Sequence, residues 1–266
     1  MIKKRNPIWA GILSVASMGL GHMYAGDLKK GIMIVCFLLI LILMAGVFGF
    51  LSTAYGIAIF VITLLCVLIY SIVSSIRLAR KNKEYTLKSY NKWYWYIVFL
   101  VSVSIIFNAL LAYRGEILGY HTYSIPTQSM VPTLKINDYI TVNTRYSKFA
   151  VGDVIVFSLP IDKKIPYVKR VVAVGGDTLS IKDGIIIRNG KVESVIQVSK
   201  DRRKDNYSIT MGQTKIPESE FFVLGDWRDK SADSRMWGTV PRELIIGKVT
   251  YIWLSTNLKR IGMAVK

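Results

Sequence analysis

Cysteine and histidine are nearly absent from these 266 residues, with two of each. Cys36 and Cys66 both fall inside long apolar runs, so neither a disulfide framework nor a cysteine-based zinc site is available, and no metal or other cofactor is expected. His22 and His121 leave little from which to build an imidazole-dependent site. Acidic residues are also scarce: 17 Asp and Glu stand against 35 Lys and Arg, a formal net charge of +18. Such a balance invites a nucleic-acid partner, but the placement of the charges argues otherwise. Up to Ala112, eleven basic residues accompany two acids and cluster around the apolar runs; from Tyr113 onward the ratio is 24 to 15. No basic stripe with interleaved stacking aromatics occurs in that second part, so nucleic acid is not an expected partner. Basic loops beside apolar runs suit membrane lipid instead.

What is abundant is apolar residue, at 52%, and its distribution is uneven. Residues 31–50 (GIMIVCFLLILILMAGVFGF) and 54–76 (AYGIAIFVITLLCVLIYSIVSSI) carry no charge, and each is long enough to cross roughly 30 Å of hydrocarbon as a helix. A third such run spans 94–113, with Trp93, Tyr94, Trp95 and Tyr96 where an aromatic belt would sit. Residues 1–113 are therefore read as a membrane region and 114–266 as one compact domain. The loop Arg77–Trp93 has six basic residues and one acid, which places it in the cytoplasm and the compact domain outside. The first apolar segment, 8–26, is uninterrupted for only about thirteen residues, a length typical of a re-entrant or interfacial element. The alternative makes it a fourth span with an external amino terminus. It lacks a small-x-small site followed by a polar domain, so no cleavable leader is read there.

From Asp138 onward the pattern changes to short β-rich runs: YITVN, DVIVF, YVKRVVAV, GIIIRNGK, EFFVLG and LIIGKVTYIWL. Asn189-Gly190 is a hairpin signal. The expected fold is an α-helical transmembrane region plus a mainly β, partly barrel-like extracytoplasmic domain.

Three stretches carry candidate chemistry. In SIPTQSMVPTL, Ser124–Leu134, two prolines restrict the backbone around Ser129. A Ser–His–Asp triad would need His121, whose place directly after an apolar run also suits a surface histidine. A neutral lysine is the other route to an activated serine, since burial lowers its pKa. Lys169 lies in the apolar run YVKRVVAV beside Arg170, a pattern shared with an exposed edge strand. GDWRDKSADSRMWG, Gly225–Gly238, is dense enough in charge and hydroxyl to fix a loop by hydrogen bonds, although a solvated turn has the same composition.

Taken in order, IPTQSMVPTL, GDVIVF, YVKRVVAVGGD, GDWRDKSADSRMWGTVP and IIGKVTYIWLS resemble the bacterial type I signal peptidase family, membrane-bound Ser–Lys endopeptidases that remove signal peptides. The resemblance covers about Tyr120 to the end. It implies Ser129 as nucleophile, Lys169 as general base, Thr127 as oxyanion donor and Ser231 as the hydroxyl that orients the lysine. It implies a structural ion pair of Asp233 with Arg235, supported by Asp226 and Arg228 in the same loop. Apolar pockets for small substrate residues fall to Tyr123, Ile125, Pro126, Met130, Leu134, Tyr167 and Val168. The implied partners are exported preproteins, and the implied location is the bacterial inner membrane, multi-pass, with the catalytic domain extracytoplasmic.

The chain departs from the pattern at Gln128, usually Gly, at Trp227, usually Asn, and at Ala173 and Gly175, usually Gly and Pro. The stretch between Asp177 and Glu220 is too short for the extra domain of some enterobacterial members, and the three spans exceed the usual one or two. GLGHMYAGDLKKG resembles a small membrane module of other proteins and is read here as an anchor. Two other functions fit the same motifs: a non-catalytic receptor for signal peptides, and a peptidase dedicated to one secretion or pilus substrate.

Overall fold

The structure is a computed structural model that describes residues 2–82 and 84–266. Met1 and Lys83, the latter one of the basic residues of the expected loop, lie outside the described residues. The chain forms two compact units, Met1–Gly119 and Tyr120–Lys266.

In the first unit, the segment expected as one element is divided into α1 (Pro7–Ala16) and α2 (Leu20–Ala25). Asn6 accepts the Ile8 N–H and Pro7 occupies the first turn, an ordinary helix start. The break comes at Gly19, in the left-handed region at φ 98°, where a side chain would run into the backbone of Gly31. Three longer helices follow: α3 (Leu28–Val47), α4 (Ala54–Lys81) and α5 (Trp93–Ala112). All three are long and apolar enough to cross a membrane. Asp27 caps α3 through the Lys30 N–H, so Lys29 and Lys30 belong to the helix and not to the preceding loop. Likewise α4 continues through Arg77, Arg80 and Lys81, which the charge pattern alone places in a loop. Arginine and lysine are good helix formers, and cations suit a helix C-terminus. The short α6 (Arg114–Ile117) and a two-residue ladder of β1 (Ile2–Lys3) with β2 (Tyr85–Thr86) complete the unit.

The second unit is mainly β. Its larger sheet contains β3 (Tyr120–Ser124), β4 (Tyr139–Asn143), β5 (Val154–Leu159) and β6 (Asp162–Val174). A smaller sheet holds β7 (Thr178–Lys182), β8 (Ile185–Arg188), β9 (Lys191–Val192) and β10 (Met211–Lys215), with the short helix α7 (Asn206–Ile209) before its last strand. The larger sheet resumes with β11 (Glu220–Leu224), β12 (Val240–Pro241) and β13 (Ile245–Leu254), and α8 (Ser234–Trp237) lies between the first two. Its order is β12-β11-β6-β5-β13-β4-β3, antiparallel at every pairing. Among the described residues no pairing joins β12 to β3, so barrel closure is not part of the ladder. Asn189 and Gly190, at φ 52° and 73°, make the tight turn between β8 and β9.

The β-branched runs form strands because alternate side chains reach two buried layers. Ile140, Val142, Val154, Val156 and Val249 build one core cluster, to which Ile125, Met130 and Leu134 are anchored. Ile155, Phe157, Val171 and Val223 build the cluster on the opposite face. β6 runs between these layers and carries Lys169 and Arg170 at adjacent positions, one on each face.

Candidate active site

Beyond β3 the chain closes a tight lobe. Ile125 N–H donates to Asp138 O at 2.8 Å and Asn137 N–H returns to Ile125 O at 3.0 Å. Buried Ile125, Met130 and Leu134 pin the lobe from inside. The wholly buried Asp138 carboxylate accepts from Arg260 at 2.6 Å and from Ser255 at 2.7 Å. Ser129 is thus presented on a lobe held at its base. A second segment grips it directly: Trp227 N–H donates to Ser129 O at 3.0 Å.

Lys169 reaches this serine from β6. Its Nζ lies 3.0 Å from Ser129 Oγ and donates to Val168 O at 2.9 Å. The lysine is 4% exposed, and burial pushes its pKa down to about 8, against the opposing fields of Asp233 and Asp226. Thr127 Oγ1 also sits 3.2 Å from Ser129 Oγ. A buried amine with a depressed pKa on a hydroxyl can accept that hydroxyl's proton. His121 instead lies within β3 beside Tyr123, their rings 6.0 Å apart.

The Gly225–Gly238 loop is a polar network and not a solvated turn, since Asp226, Arg228, Ser231 and Asp233 are all buried. Asp233 pairs with Arg235 at 2.7 Å and accepts the Gly225 N–H at 3.0 Å. Arg228 donates to the carbonyls of Gly225, at 2.7 Å, and Ile196, at 2.9 Å. Asp226 does not pair with Arg228 of its own loop; it holds Arg170, on the strand face opposite Lys169, and Thr133. Ser231 Oγ is buried without a hydrogen-bond partner and makes no bond to Lys169. It lies close to the Ser129 backbone all the same: a Cβ built on Gly225 would meet the side chain of Ser231 and, at 2.6 Å, the carbonyl of Ser129.

Ser129 and Lys169 open onto a groove of about 650 Å³ lined on one side by 123–127 and on the other by 165–168, with Lys230 and Ala232 from the loop. Tyr123, Ile125, Pro126, Met130, Tyr167 and Val168 all line it. Leu134 is the exception among the expected pocket residues. It is fully buried in the core cluster beneath the lobe and does not line the groove, because it serves as the lobe's hydrophobic anchor. Among the described residues no group of three or more His, Cys, Asp or Glu is placed to hold a metal ion.

Sequence reasoning passed over Arg170, Gly225, Thr133 and Lys230. Arg170 had a usable signal: a second charge one residue out of phase with Lys169, in a run buried on both faces, requires a counter-charge on the other side. Gly225, Thr133 and Lys230 had none, since each depends in part on a residue about ninety or more positions away: Ser129, Asp226 and Gln128 respectively.

Residues 92–254 match the family described as signal peptidase, peptidase S26. Signal peptidase I of Leptolyngbya laminosa is 34% identical over 151 residues, covering 52% of this chain and 71% of that protein. Signal peptidase I of Pseudomonas fluorescens is 30% identical over 244 residues, covering 68% and 81% respectively. A crystal structure of a signal peptidase I from Enterococcus faecalis V583 matches at 27% identity over 39% of this chain and 97% of that one, with a TM-score of 0.33.

Proposed function

This chain belongs to the signal peptidase family, peptidase S26, and we propose that it removes amino-terminal signal peptides from exported preproteins by a Ser129–Lys169 dyad. It is a serine endopeptidase by family. The observation that carries the dyad is the 3.0 Å contact between the buried Lys169 Nζ and Ser129 Oγ. Neutral Lys169 takes the Ser129 proton as Oγ attacks the scissile carbonyl. Thr127 Oγ1 and the Ser129 N–H receive the oxyanion, where one donor is worth about 2.7–4 kcal/mol. The resulting ammonium of Lys169 gives its proton to the leaving amine, and Lys169 then activates the water that releases the acyl-enzyme. Ser231, a buried hydroxyl that makes no hydrogen bond in the substrate-free chain, is proposed to turn onto the amine during the reaction.

Substrate enters extended. The groove runs between 123–127 and 165–168, and an extended chain can lie along these two segments. Small side chains before the cut fit the apolar groove wall of Ile125, Met130, Tyr167 and Val168. The three apolar helices anchor the enzyme as a multi-pass protein of the bacterial inner membrane, and the basic residues between α4 and α5 orient the catalytic unit to the extracytoplasmic side. A receptor that only binds signal peptides has no use for a lysine desolvated against a serine, which favours catalysis over that reading.

The test is cleavage of a labelled preprotein by the purified full-length chain. Ser129→Ala and Lys169→Arg should both abolish it, because a guanidinium does not deprotonate. Processing at the wild-type rate by either variant overturns the dyad.

A further inference from the structure

The two departures from the family pattern nearest the reactive serine, Gln128 and Trp227, meet at one side chain. Lys230 Nζ lies 4.2 Å above the centre of the Trp227 ring and 3.2 Å from Gln128 Oε1. Gln128 separates Thr127 from Ser129, and the backbone N–H of Trp227 holds the Ser129 carbonyl. Both clamps on the ammonium are therefore tied to the residues that surround the reacting bond.

Lys230 is exposed and lines the groove, and the acids of its own loop are engaged elsewhere. Asp226 holds Arg170, Asp233 holds Arg235, and Asp229 accepts the N–H groups of Lys204 and Asp205. Among the described residues no carboxylate pairs with Lys230. A fixed cation at the serine end of an otherwise apolar groove is a recognition element for a negative charge. Lys230 enters the same groove from the Gly225–Gly238 loop; since the apolar wall is assigned to the residues before the cut, the ammonium is assigned to those beyond it.

We propose that Lys230, clamped by Gln128 and Trp227, is a specificity-determining residue that favours substrates with an acidic side chain in the first two positions after the cleaved bond. The inference rests on the peptidase reading above. It assigns Gln128 a role that glycine could not perform: an amide acceptor that holds the ammonium beside the site. Aromatic stacking supplies the second constraint and narrows the rotamers open to the long, exposed side chain.

The test uses the full-length chain in detergent and peptides identical up to the cleaved bond, with Ala, Asp or Lys at the two positions beyond it. For the wild type, kcat/KM should favour Asp over Lys by about fivefold at low ionic strength, the scale of one partly exposed ion pair. That ratio should shrink toward one in 1 M NaCl. Lys230→Glu should invert the order and Lys230→Gln should remove it. Gln128→Ala, which frees the ammonium without deleting it, should reduce the ratio. An Asp-to-Lys ratio that is the same in wild type and Lys230→Gln overturns the proposal. Failure of the wild type to cleave any peptide, or cleavage that persists in Ser129→Ala, would instead strike at the peptidase reading itself.

Discussion

Arg170 and Asp226 form a two-pronged ion pair, Nε to Oδ1 at 2.8 Å and Nη2 to Oδ2 at 2.7 Å, on the sheet face opposite Lys169. Arg170 also donates to Gly152 O, Lys266 O and Thr133 Oγ1, at 2.6, 2.8 and 3.1 Å, so one guanidinium ties β6 to four other segments. Because Arg170 is the next residue after Lys169, whatever holds Arg170 also sets the height at which Lys169 enters the site.

Removing one member of this pair should therefore destabilise the catalytic unit more than it alters its chemistry. Asp226→Leu is expected to cost about 3–5 kcal/mol, since it strands a buried guanidinium. The double variant Arg170→Met, Asp226→Leu should recover most of that loss. Urea unfolding of the four proteins of this cycle measures the coupling; additive single effects would show that the pair is not a unit.

Activity should rise with pH through about 8, the value to which burial lowers Lys169. Protonated lysine cannot accept the serine proton, so the acid limb of kcat/KM reports this group in the free enzyme. Asp233 and Asp226 oppose the shift, so Asp233→Asn should move the midpoint to lower pH wherever the variant folds. A midpoint near 10.5 would mean that Lys169 is solvated and not the base.

The same burial works against stability. Between about 8 and 10.5 the unfolded chain binds a proton at Lys169 that the folded chain does not, so stability rises with pH across that window, and the full penalty applies at neutral pH. Lys169→Met should raise the unfolding midpoint at pH 7 while abolishing cleavage, with an upper limit of about 3 kcal/mol. The advantage should disappear above pH 10.5. Thermal unfolding at pH 7 and pH 11 compares the two.

Gly225→Ala tests the closeness of Ser129, the proposed nucleophile, to the loop beside it. The added methyl would approach Ser129 O to 2.6 Å and collide with Ser231, pushing the two segments apart. A displacement of about 1 Å is expected to lower kcat by about a hundredfold. Unchanged kcat in this variant would mean that the loop yields without moving Ser129.

Much of the second unit could be read directly from residue pattern. YITVN coincides with β4 and EFFVL with β11, because alternation of β-branched residues between two buried layers leaves few other solutions. No such run marks β3, β7, β10 or the two-residue β12. YHTYS and MGQTK carry few buried side chains and are strands only because β4 and β7 supply their hydrogen-bond partners. In the first unit the apolar runs announced α3, α4 and α5, but their ends depended on caps and on charged residues that continue a helix without adding hydropathy.

The sequence by itself determined the chemical inventory: a hydroxyl lobe, a lysine in an apolar strand and a charged loop, in the order that a Ser–Lys peptidase resembles. Which charges neutralise one another was settled only in three dimensions. Asp226 passes over Arg228, two residues away, and takes Arg170, 56 positions earlier. Leu134 turns inward to anchor the lobe, and Gln128, Trp227 and Lys230 converge from two segments onto one side of Ser129. The physical reason is the same in each case. A buried charge or an apolar side chain is satisfied by whichever partner the folded chain brings within a few ångströms, and strand register and loop closure decide that distance, not separation along the sequence.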